Sequence, residues 1–316
     1  MAIIRSLLAP IRQTSGMGRW VLVAGLLITG VFVVMAVFAP WIAPYGFAQA
    51  QDESGRSFPK VAPPGGDHLF GTDRGFYDVF SRVVWGARTE ITVVVLAVVA
   101  SLLVGVLLGL VSGYIGGWLD RILVLVMDAL YAFPSLLLAI VFAFLLSGLL
   151  GGSVTAAALS LVPVYMPQYF RVVRNTTISA REATYVEAAR ALGAPKRTII
   201  SRYVFGNVIQ SVPVIGTLNA ADAISVLAAL GFLGLGIQPT EAAEWGYDLS
   251  RALSDVAADI WWTGLFPGLA IVLLVTGLTL VGEGLNETLN PTLRKRRLRR
   301  ITAPPQAEAP AEEAVR

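Results

Sequence analysis

Long apolar stretches dominate the chain, and their lengths predict helices that cross a membrane. A helix needs about 20 mostly apolar residues to span the hydrocarbon core of a bilayer. Six stretches meet this requirement, so the sequence predicts an all-α integral membrane helix bundle with six transmembrane helices. The predicted spans cover residues 20–39, 91–114, 122–147, 154–170, 212–236 and 262–281.

Prolines interrupt two of the predicted spans. Pro163 and Pro167 fall within 154–170, and Pro134 falls within 122–147. A proline removes a backbone donor and kinks a helix, and the backbone groups that it frees must find partners inside the membrane protein. We therefore expect both segments to lie inside the bundle.

The first apolar stretch has an alternative interpretation as a cleaved export signal. The sequence Ala48-Gln49-Ala50 resembles a cleavage site. The apolar run is longer than a normal signal core, however, and the site lies well beyond its end. We therefore predict a retained first helix.

The placement of basic residues predicts the orientation, because cytoplasmic loops collect lysine and arginine. With both termini in the cytoplasm, most of the 24 basic residues lie inside. They include a basic run at 294–300, which could bind nucleic acid but whose place after the last apolar stretch favours a cytoplasmic anchor. The predicted organisation is a cytoplasmic N-terminus at 1–19, a first transmembrane helix at 20–40, an external loop at 41–90, a core membrane domain at 91–293 with a cytoplasmic loop at 171–211, and a basic, then disordered, cytoplasmic tail at 294–316.

Composition narrows the possible chemistry. The chain is 55% hydrophobic and only 14% charged, whereas soluble domains carry roughly 25% charged residues. It has no cysteine and one histidine, His68, so we predict no metal site. His68 falls in the predicted external loop, where we expect a loop residue rather than a ligand, and a membrane-embedded hydrolase would lack a nucleophile–base pair.

The chain also lacks a phosphate-binding loop. No Gly-x4-Gly-Lys-Ser/Thr sequence occurs, so the chain does not bind ATP by that means. We expect no cofactor in this chain, and an ATP-driven activity would need a separate ATPase.

Small residues recur every fourth position along the predicted second span. Such a stripe lets another helix approach closely, since helix association in lipid depends on packing. We predict a helix-packing seam at Gly105, Gly109 and Gly113, preceded by Ala97 and Ser101.

Three carboxylates fall in or near the predicted spans. Asp128 and Asp222 lie inside spans, and Glu283 lies near the end of one. An ionised group at the bilayer centre costs about 2.5 kcal/mol or more, so these side chains should face the bundle or a wet cavity. Contact with a charged group of a transported molecule and a hydrogen bond within the bundle both remain open.

The predicted cytoplasmic loop contains two helical segments. Strong helix formers fill 181–192, Gly193 is a natural helix stop, and Pro195 suits the start of a second helix. We predict a helix, a tight glycine turn and a second helix. A single amphipathic helix lying on the membrane is the alternative.

This loop resembles the signature loop of bacterial ABC-importer permeases. The resemblance implies a coupling helix that docks into a cleft on the ATPase subunit, where small residues permit close contact and a glutamate can pair with a basic residue. The family pattern continues to an Ile-x-Leu-Pro-like end, where this chain has Val204-Phe205-Gly206. The matching residues are Glu187, Ala188, Ala189 and, after three residues, Gly193.

Further motifs narrow the resemblance to the second, C-type permease of the dipeptide/oligopeptide/nickel (Dpp/Opp-type) importers. They are Gly71-Thr72-Asp73, Asp78-Val79, Ser81-Arg82 and Gly86-Ala87-Arg88 before the second span; Phe232-Leu233-Gly234-Leu235-Gly236, Gln238-Pro239 and Glu244-Trp245-Gly246 around the fifth; and Trp261-Trp262, Phe266-Pro267-Gly268-Leu269-Ala270-Ile271 and Gly282-Glu283-Gly284-Leu285 in the last. Two departures are Phe76-Tyr77 in place of Gly-Arg, and Leu227 in place of a glutamate.

The resemblance implies the type I ABC importer permease fold and a set of partners. These are a homologous second permease, two ATPase subunits or one fused ATPase that bind ATP and magnesium, an external substrate-binding protein and the lipid bilayer, with no nucleic acid. The residues implied to face the binding protein are Gly71, Thr72, Asp73, Asp78, Arg82 and Arg88.

The expected cargo is a peptide or a peptide-like solute. A chain without cysteine and with one histidine offers poor ligands for nickel, which prefers imidazole or sulfur. Import of nickel or a metal chelate is the first alternative. An ion-coupled secondary transporter is the second, although such folds often show repeats and none is visible here.

Overall fold

The computed structural model describes residues 17–151, 153–208 and 212–289, and within these ranges the long regular elements are all helices. The predicted N-terminal segment up to residue 16, the basic run and the tail lie outside the described residues. In chain order the helices are α1 Met17–Val37, α2 Ala39–Ile42, α3 Val79–Ile115, α4 Gly117–Ala132, α5 Ser135–Leu150, α6 Val154–Arg181, α7 Thr184–Ala191, α8 Lys196–Thr198, the π-helical turn Ile199–Val204, α9 Phe205–Val208, α10 Val212–Phe232, α11 Trp245–Val256 and α12 Trp262–Leu289.

Four of these helices, α1, α3, α10 and α12, are long and apolar enough to cross a membrane. Helices α4 and α5 together qualify as a fifth, broken span that bends by 101°. The prediction of an all-α membrane bundle is therefore confirmed, and six is an approximate but consistent count. Helix α6 completes the bundle. It contains prolines and carries arginines near its C-terminal end.

The bend between α4 and α5 lies at Pro134, inside the predicted span 122–147. Phe133, directly before it, has extended backbone angles of φ −79° and ψ 140°. The ring of a proline disfavours helical angles in the preceding residue, and proline cannot continue the hydrogen-bond ladder. The expected kink is therefore a full break between two helices.

Helix α6 packs along α3 at the stripe of small residues. A Cβ atom added at Gly105 would lie 2.7 Å from the Tyr169 Cβ, and one added at Gly109 would lie 2.8 Å from the Phe170 carbonyl oxygen. Since real Cβ atoms essentially never come so close, only glycine allows the two backbones this separation. Gly113 continues the seam, because its added Cβ would lie 2.7 Å from the Arg174 oxygen.

Two helices extend into segments that the sequence predicts as loops. Helix α3 starts at Val79, inside the predicted external loop 41–90, because Asp78 caps it by accepting the Ser81 N–H at 2.7 Å. Its 37 residues extend roughly 55 Å, well beyond a hydrocarbon core of about 30 Å. Helix α6 likewise continues to Arg181, into the predicted cytoplasmic loop.

The bundle has two distinct ends. At one end the segment 43–78 and α11 lie against the starts of α3 and α12; we call this the long-loop end. At the other, residues 182–208 lie near the ends of α3 and α6; we call this the short-helix end. Helices α1 and α12 pack together between them, where Gly277 contacts Ile28 and Thr29.

Candidate functional site

The short-helix end contains the helix–turn–helix that the sequence predicts. Helix α7 stops at Gly193, which has a left-handed φ of 77°, a conformation that glycine adopts without strain. The Gly193 N–H donates to the Arg190 oxygen and the Ala194 N–H to the Ala189 oxygen, both at 3.0 Å. This is a Schellman motif, and it turns the chain sharply into Pro195.

The second helical stretch begins as predicted but ends differently. The Pro195 carbonyl accepts from the Thr198 N–H at 2.9 Å, so proline occupies the start of the helix. The stretch then widens into a π-helical turn at Ile199–Val204 and remains helical to Val208. Gly206, which stands in place of the family's proline, therefore does not end the helix.

A small apolar cluster holds this pair of helices on the bundle. Val186 and Ile199 are fully buried, and they pack with Val106 of α3 and Val173 of α6. Ala189 is buried on the same face of α7. The loop is therefore fixed by one apolar face, and its other face is free of the bundle.

The exposed face of the loop carries the other residues of the predicted coupling motif. Glu187, Ala188 and Gly193 are all exposed, and an added Cβ at Gly193 would meet no atom within 4 Å. Leu192, beside the turn, is 88% exposed, the highest value among the large hydrophobic side chains of the described residues. Three of the four predicted coupling residues thus share this surface with an exposed leucine, while Ala189 anchors the helix from behind.

Ion pairs tie the neighbouring helices together near this end. The Arg174 guanidinium of α6 donates to Asp120 of α4 at 2.7 Å. Arg181, the last residue of α6, donates to the Tyr114 carbonyl of α3 at 3.3 Å. A movement of the short helices would therefore be transmitted to α3, α4 and α6.

The long-loop end is built around buried charges. Arg82 of α3 and Asp248 of α11 form a salt bridge of 2.6 Å, and their side chains are only 3% and 9% exposed. A second arginine, Arg74, pairs with Asp255 at the far end of α11. Burial raises the pKa of the Asp248 carboxyl, and the neighbouring Arg82 opposes that rise. These pairs line a cavity of about 180 Å³.

His68 is a buried loop residue at this end rather than a surface one. Its Nδ1 lies 2.9 Å from the Asp78 carboxylate, and Asp78 also caps α3. The imidazole thereby ties the loop to the start of the helix, in agreement with the expectation of a loop residue.

Most of the residues implied to face the binding protein are buried here. Thr72, Asp78 and Arg82 are at most 3% exposed, and a Cβ added at Gly71 would lie 2.5 Å from the Ala62 oxygen. The Thr72 carbonyl accepts the Trp262 indole N–H at 3.1 Å. We therefore correct the expectation for the four buried residues: they shape the loop, because their polar atoms are used internally.

Two of the predicted loop residues remain partly accessible. Arg88 is exposed on α3, and its guanidinium lies 5.7 Å from the Trp85 ring centroid. Asp73 is half-buried and accepts the N–H groups of Gly75 and Tyr77 at 2.8 Å. Burial raises the pKa of the Asp73 carboxyl. Of the six residues implied to face the binding protein, Arg88 is thus the one whose side chain is exposed.

The two departures from the family pattern have structural counterparts. Phe76, in place of a glycine, has a left-handed φ of 64°, which is rare for a bulky residue. Tyr77, in place of an arginine, lies with its ring 5.1 Å from the Arg82 guanidinium carbon. Leu227, in place of a glutamate, is fully buried in the apolar core.

A buried pair of acids near Leu227 is a feature that the sequence reasoning missed. Glu90 and Glu244 are both 0% exposed, and they interact electrostatically. Glu244 caps α11 by accepting the N–H groups of Gly246 and Tyr247. Burial raises the pKa of Glu244 to about 7, against the lowering effect of those two N–H groups. In the sequence, Glu244 stood only in a family motif and Glu90 only at the end of the predicted external loop, and nothing linked the two.

The structure separates the three candidate path carboxylates. Asp222 is exposed on α10 and accepts the Tyr165 hydroxyl at 3.0 Å, beside a cavity of about 330 Å³. Asp128 is an exposed residue of α4 that pairs with Arg171 at 2.9 Å. Glu283 is exposed on α12 and does not line that cavity. Of the three, only Asp222 lines this cavity.

Comparison with known proteins agrees with this architecture. The family model described as binding-protein-dependent transport system inner membrane component matches residues 105–295. A second model, the N-terminal TM domain of oligopeptide transport permease C, matches residues 19–64. Between them they leave residues 65–104 unmatched, which are part of the long-loop end and most of α3.

Individual relatives match over most of their length. The dipeptide transport system permease protein DppC of Escherichia coli K12 is 43% identical over 86% of this chain and 89% of its own. DppC of Alkalihalophilus pseudofirmus is 36% identical over 86% of each chain. The glutathione transport system permease protein GsiD of Shigella flexneri is 37% identical over 83% of each. The chain belongs to the family of inner membrane components of binding-protein-dependent transport systems, as a C-type permease of the Dpp/Opp kind.

Proposed function

We propose that this chain is one of two permeases that import peptides across the cytoplasmic membrane, driven by ATPases that dock on its short-helix end. The observation that carries the proposal is the exposed Glu187–Gly193 surface, held by one apolar face on a multi-span bundle. A homologous second permease completes the transport path, and an external binding protein delivers the cargo.

The chemistry of the short-helix end suits a protein partner. The exposed leucine, Leu192, and the open turn at Gly193 offer an apolar protrusion, and Glu187 adds one negative charge beside it. Small residues such as Ala188 permit close approach, while the buried Val186 and Ile199 prevent the helices from moving alone. A cleft on an ATPase with a basic rim would complement this surface.

The basic residues of the short-helix end support an orientation of the bundle in the membrane. The short-helix end carries Arg174, Arg181 and Arg190 among other basic residues, which favours the cytoplasmic side. Both termini are then cytoplasmic, the long-loop end is external, and Arg88 and its neighbours face the binding protein.

The ATPase subunits supply the energy for transport. The sequence has no phosphate-binding loop, so the ATPases bind ATP and magnesium, and this chain needs no cofactor of its own. ATP can shift the bundle between inward- and outward-facing states only through its different affinity for them. Helices α3, α4 and α6 are linked to the short-helix end and carry that shift into the membrane.

Peptides are the cargo class that the observations favour. Relatives named for dipeptide and glutathione transport match across more than four fifths of the chain. Among the described residues, no group of three or more histidine, cysteine or acidic side chains could hold a metal ion. Nickel or a chelate remains the second candidate, because a chelated metal needs no ligands from the path.

The test is reconstitution of the two permeases and the ATPases in proteoliposomes, with the binding protein supplied outside. We expect uptake of a defined dipeptide that requires ATP, and loss of ATP hydrolysis coupled to peptide when Glu187 is replaced by lysine. The isolated chain should hydrolyse no ATP. Peptide uptake that persists without ATP but follows an ion gradient would contradict the proposal, as would nickel-dependent uptake alone.

A further inference from the structure

The larger cavity lies where the broken span bends. Its volume is about 330 Å³, and its walls come from α4, α5, α6 and α10. In secondary transporters, substrate sites often lie at discontinuous helices near the middle of the membrane, and ligand cavities in general are typically apolar with a few placed polar groups. The principal lining residues are Tyr131, Phe133, Ser135, Tyr165, Gln168 and Asp222.

Asp222 is the only charged residue in this lining. The hydroxyl of Tyr165, which is 2% exposed, donates to its Oδ2 at 3.0 Å. This hydrogen bond holds the Asp222 carboxylate in place, so Tyr165 is a positioning residue for Asp222. Within the described ranges no side chain donates to Oδ1 of Asp222, so this oxygen can accept from a donor in the cavity.

The arginine beside Tyr131 on the cavity wall does not cancel this charge. Arg171 lies over the Tyr131 ring, 4.4 Å from its centroid, but its guanidinium pairs with Asp128 at 2.9 Å. The Arg171–Asp128 pair is neutral as a unit. The cavity therefore keeps one net negative charge from Asp222.

A carboxylate on this face needs a partner in the assembled transporter. Asp222 belongs to α10, one of the four membrane-spanning helices, and its side chain is exposed. A charged group facing hydrocarbon is costly and in transporters faces a bundle interior or a wet cavity. This face of α10 must consequently line water or a neighbouring protein surface rather than lipid.

We propose that this cavity binds the protonated amino terminus of the peptide cargo, with the Asp222 carboxylate as its counter-ion. The inference rests on the proposed function and names the substrate group that one permease recognises. The ammonium donates to Oδ1 of Asp222 and to the Gln168 side-chain oxygen. The rings of Tyr131 and Phe133 pack against the first side chain of the peptide, so the site tolerates many sequences.

The first test measures the charge of the cavity without any cargo. The chain has no cysteine, so Ser135→Cys places one thiol on the cavity wall, and Ser147→Cys places a control thiol near the other end of α5. Relative to the ratio of the two rates at Ser147→Cys, we expect a cationic methanethiosulfonate to react with the wall thiol up to about 30-fold faster than an anionic one, because a unit charge at contact distance in water attracts one reagent and repels the other. Asp222→Asn should bring the ratio at Ser135→Cys to that of Ser147→Cys. Equal ratios at the two thiols, or a preference that survives Asp222→Asn, would overturn the inference.

The second test asks whether a peptide amine occupies the site. In the assembled transporter, dialanine should slow labelling of Ser135→Cys, whereas N-acetyl-dialanine should not, and Asp222→Asn should remove the protection. Equal protection by both peptides, or by neither, would overturn amine recognition. Dialanine uptake measured in parallel separates the two proposals: uptake without charge preference defeats the site alone, whereas absence of peptide uptake defeats the peptide cargo and, with it, recognition of the cargo's amino terminus.

Discussion

The two ends of the bundle use their charged residues in opposite ways. At the long-loop end, Arg82 and Asp248 are buried against each other, and Glu90 and Glu244 are sealed in the interior. At the short-helix end, Glu187 is exposed and the contacts with the bundle are apolar. Charges that are desolvated at one end specify the fold, and the exposed charge at the other remains available to a partner.

This difference separates stability from coupling. Removing one member of a buried ion pair leaves the other unpaired in the interior, which is costly. Removing an exposed charge changes stability little but can change a docking surface. Substitutions of the buried charges at the long-loop end should therefore destabilise the protein, and substitutions of the exposed residues at the short-helix end should uncouple it.

The largest expected effect is that of Arg82→Ala. It leaves Asp248 buried without its partner, and we expect a loss of about 3 kcal/mol or more in the free energy of unfolding. Thermal or denaturant unfolding of the purified protein in detergent measures it. The matched control is Arg88→Ala on the same helix, where the exposed guanidinium should be dispensable for folding. Equal stability of the two variants would show that the buried pair does not hold the long-loop end.

The seam that connects the two ends should be nearly as sensitive. Gly109→Leu forces side-chain atoms into the Phe170 backbone, and overpacking of this kind costs about 1–3 kcal/mol. Gly148→Leu is the control, because an added Cβ there meets no atom within 4 Å. The same unfolding assay compares them, and equal losses for both variants would refute close packing of α3 on α6.

The buried acids should make the long-loop end pH-sensitive. The pKa of Glu244 rises from 4.5 to about 7 on folding, so the folded state binds more protons than the unfolded state between these values. Stability should then fall as the pH rises from about 5 to 7, by on the order of 1–3 kcal/mol, and change little from this group above that range. Unfolding measured across pH should show a flatter profile for Glu244→Gln. An unchanged slope would remove Glu244 as its source.

The smallest change in stability should come from the coupling loop. Gly193→Asn keeps a residue that tolerates left-handed angles, whereas Gly193→Trp adds roughly 1–2 kcal/mol of backbone strain. We expect both to insert into the membrane, and only Gly193→Trp, like Glu187→Lys, to lose peptide uptake and retention of the ATPase in a pull-down. Normal uptake and normal ATPase retention in both bulky and charge-reversed variants would exclude coupling through this surface.

The sequence predicted the elements whose causes are local. Apolar run length predicted the membrane helices, the glycine spacing predicted the seam at Gly109, and Gly193 with Pro195 predicted the turn. The break at Pro134 was expected as a kink. Each of these elements depends on a residue and its near neighbours in the chain, so a local sequence pattern was enough to predict it.

Features that depend on distant contacts were missed. Asp248 of the 12-residue helix α11 pairs with Arg82, which lies 166 residues earlier in the chain. No local sequence pattern predicts that contact. The same contact buries Arg82, which the family motifs had implied to face the binding protein. Asp222 was one of three equal candidates until the fold placed it, and neither of the others, on the wall of the 330 Å³ cavity.

Crosslinking from each end tests the central claim most directly. A benzophenone maleimide attached to a single cysteine at Ala188, on the exposed face of α7, should capture the ATPase in the assembled transporter. A cysteine at Ser57, exposed at the long-loop end, should react with an impermeant thiol reagent applied outside the cell. The same probe attached there should capture no ATPase. Capture of the ATPase from Ser57, or its absence from Ala188 in a transporter that hydrolyses ATP, would contradict the assignment of the two ends.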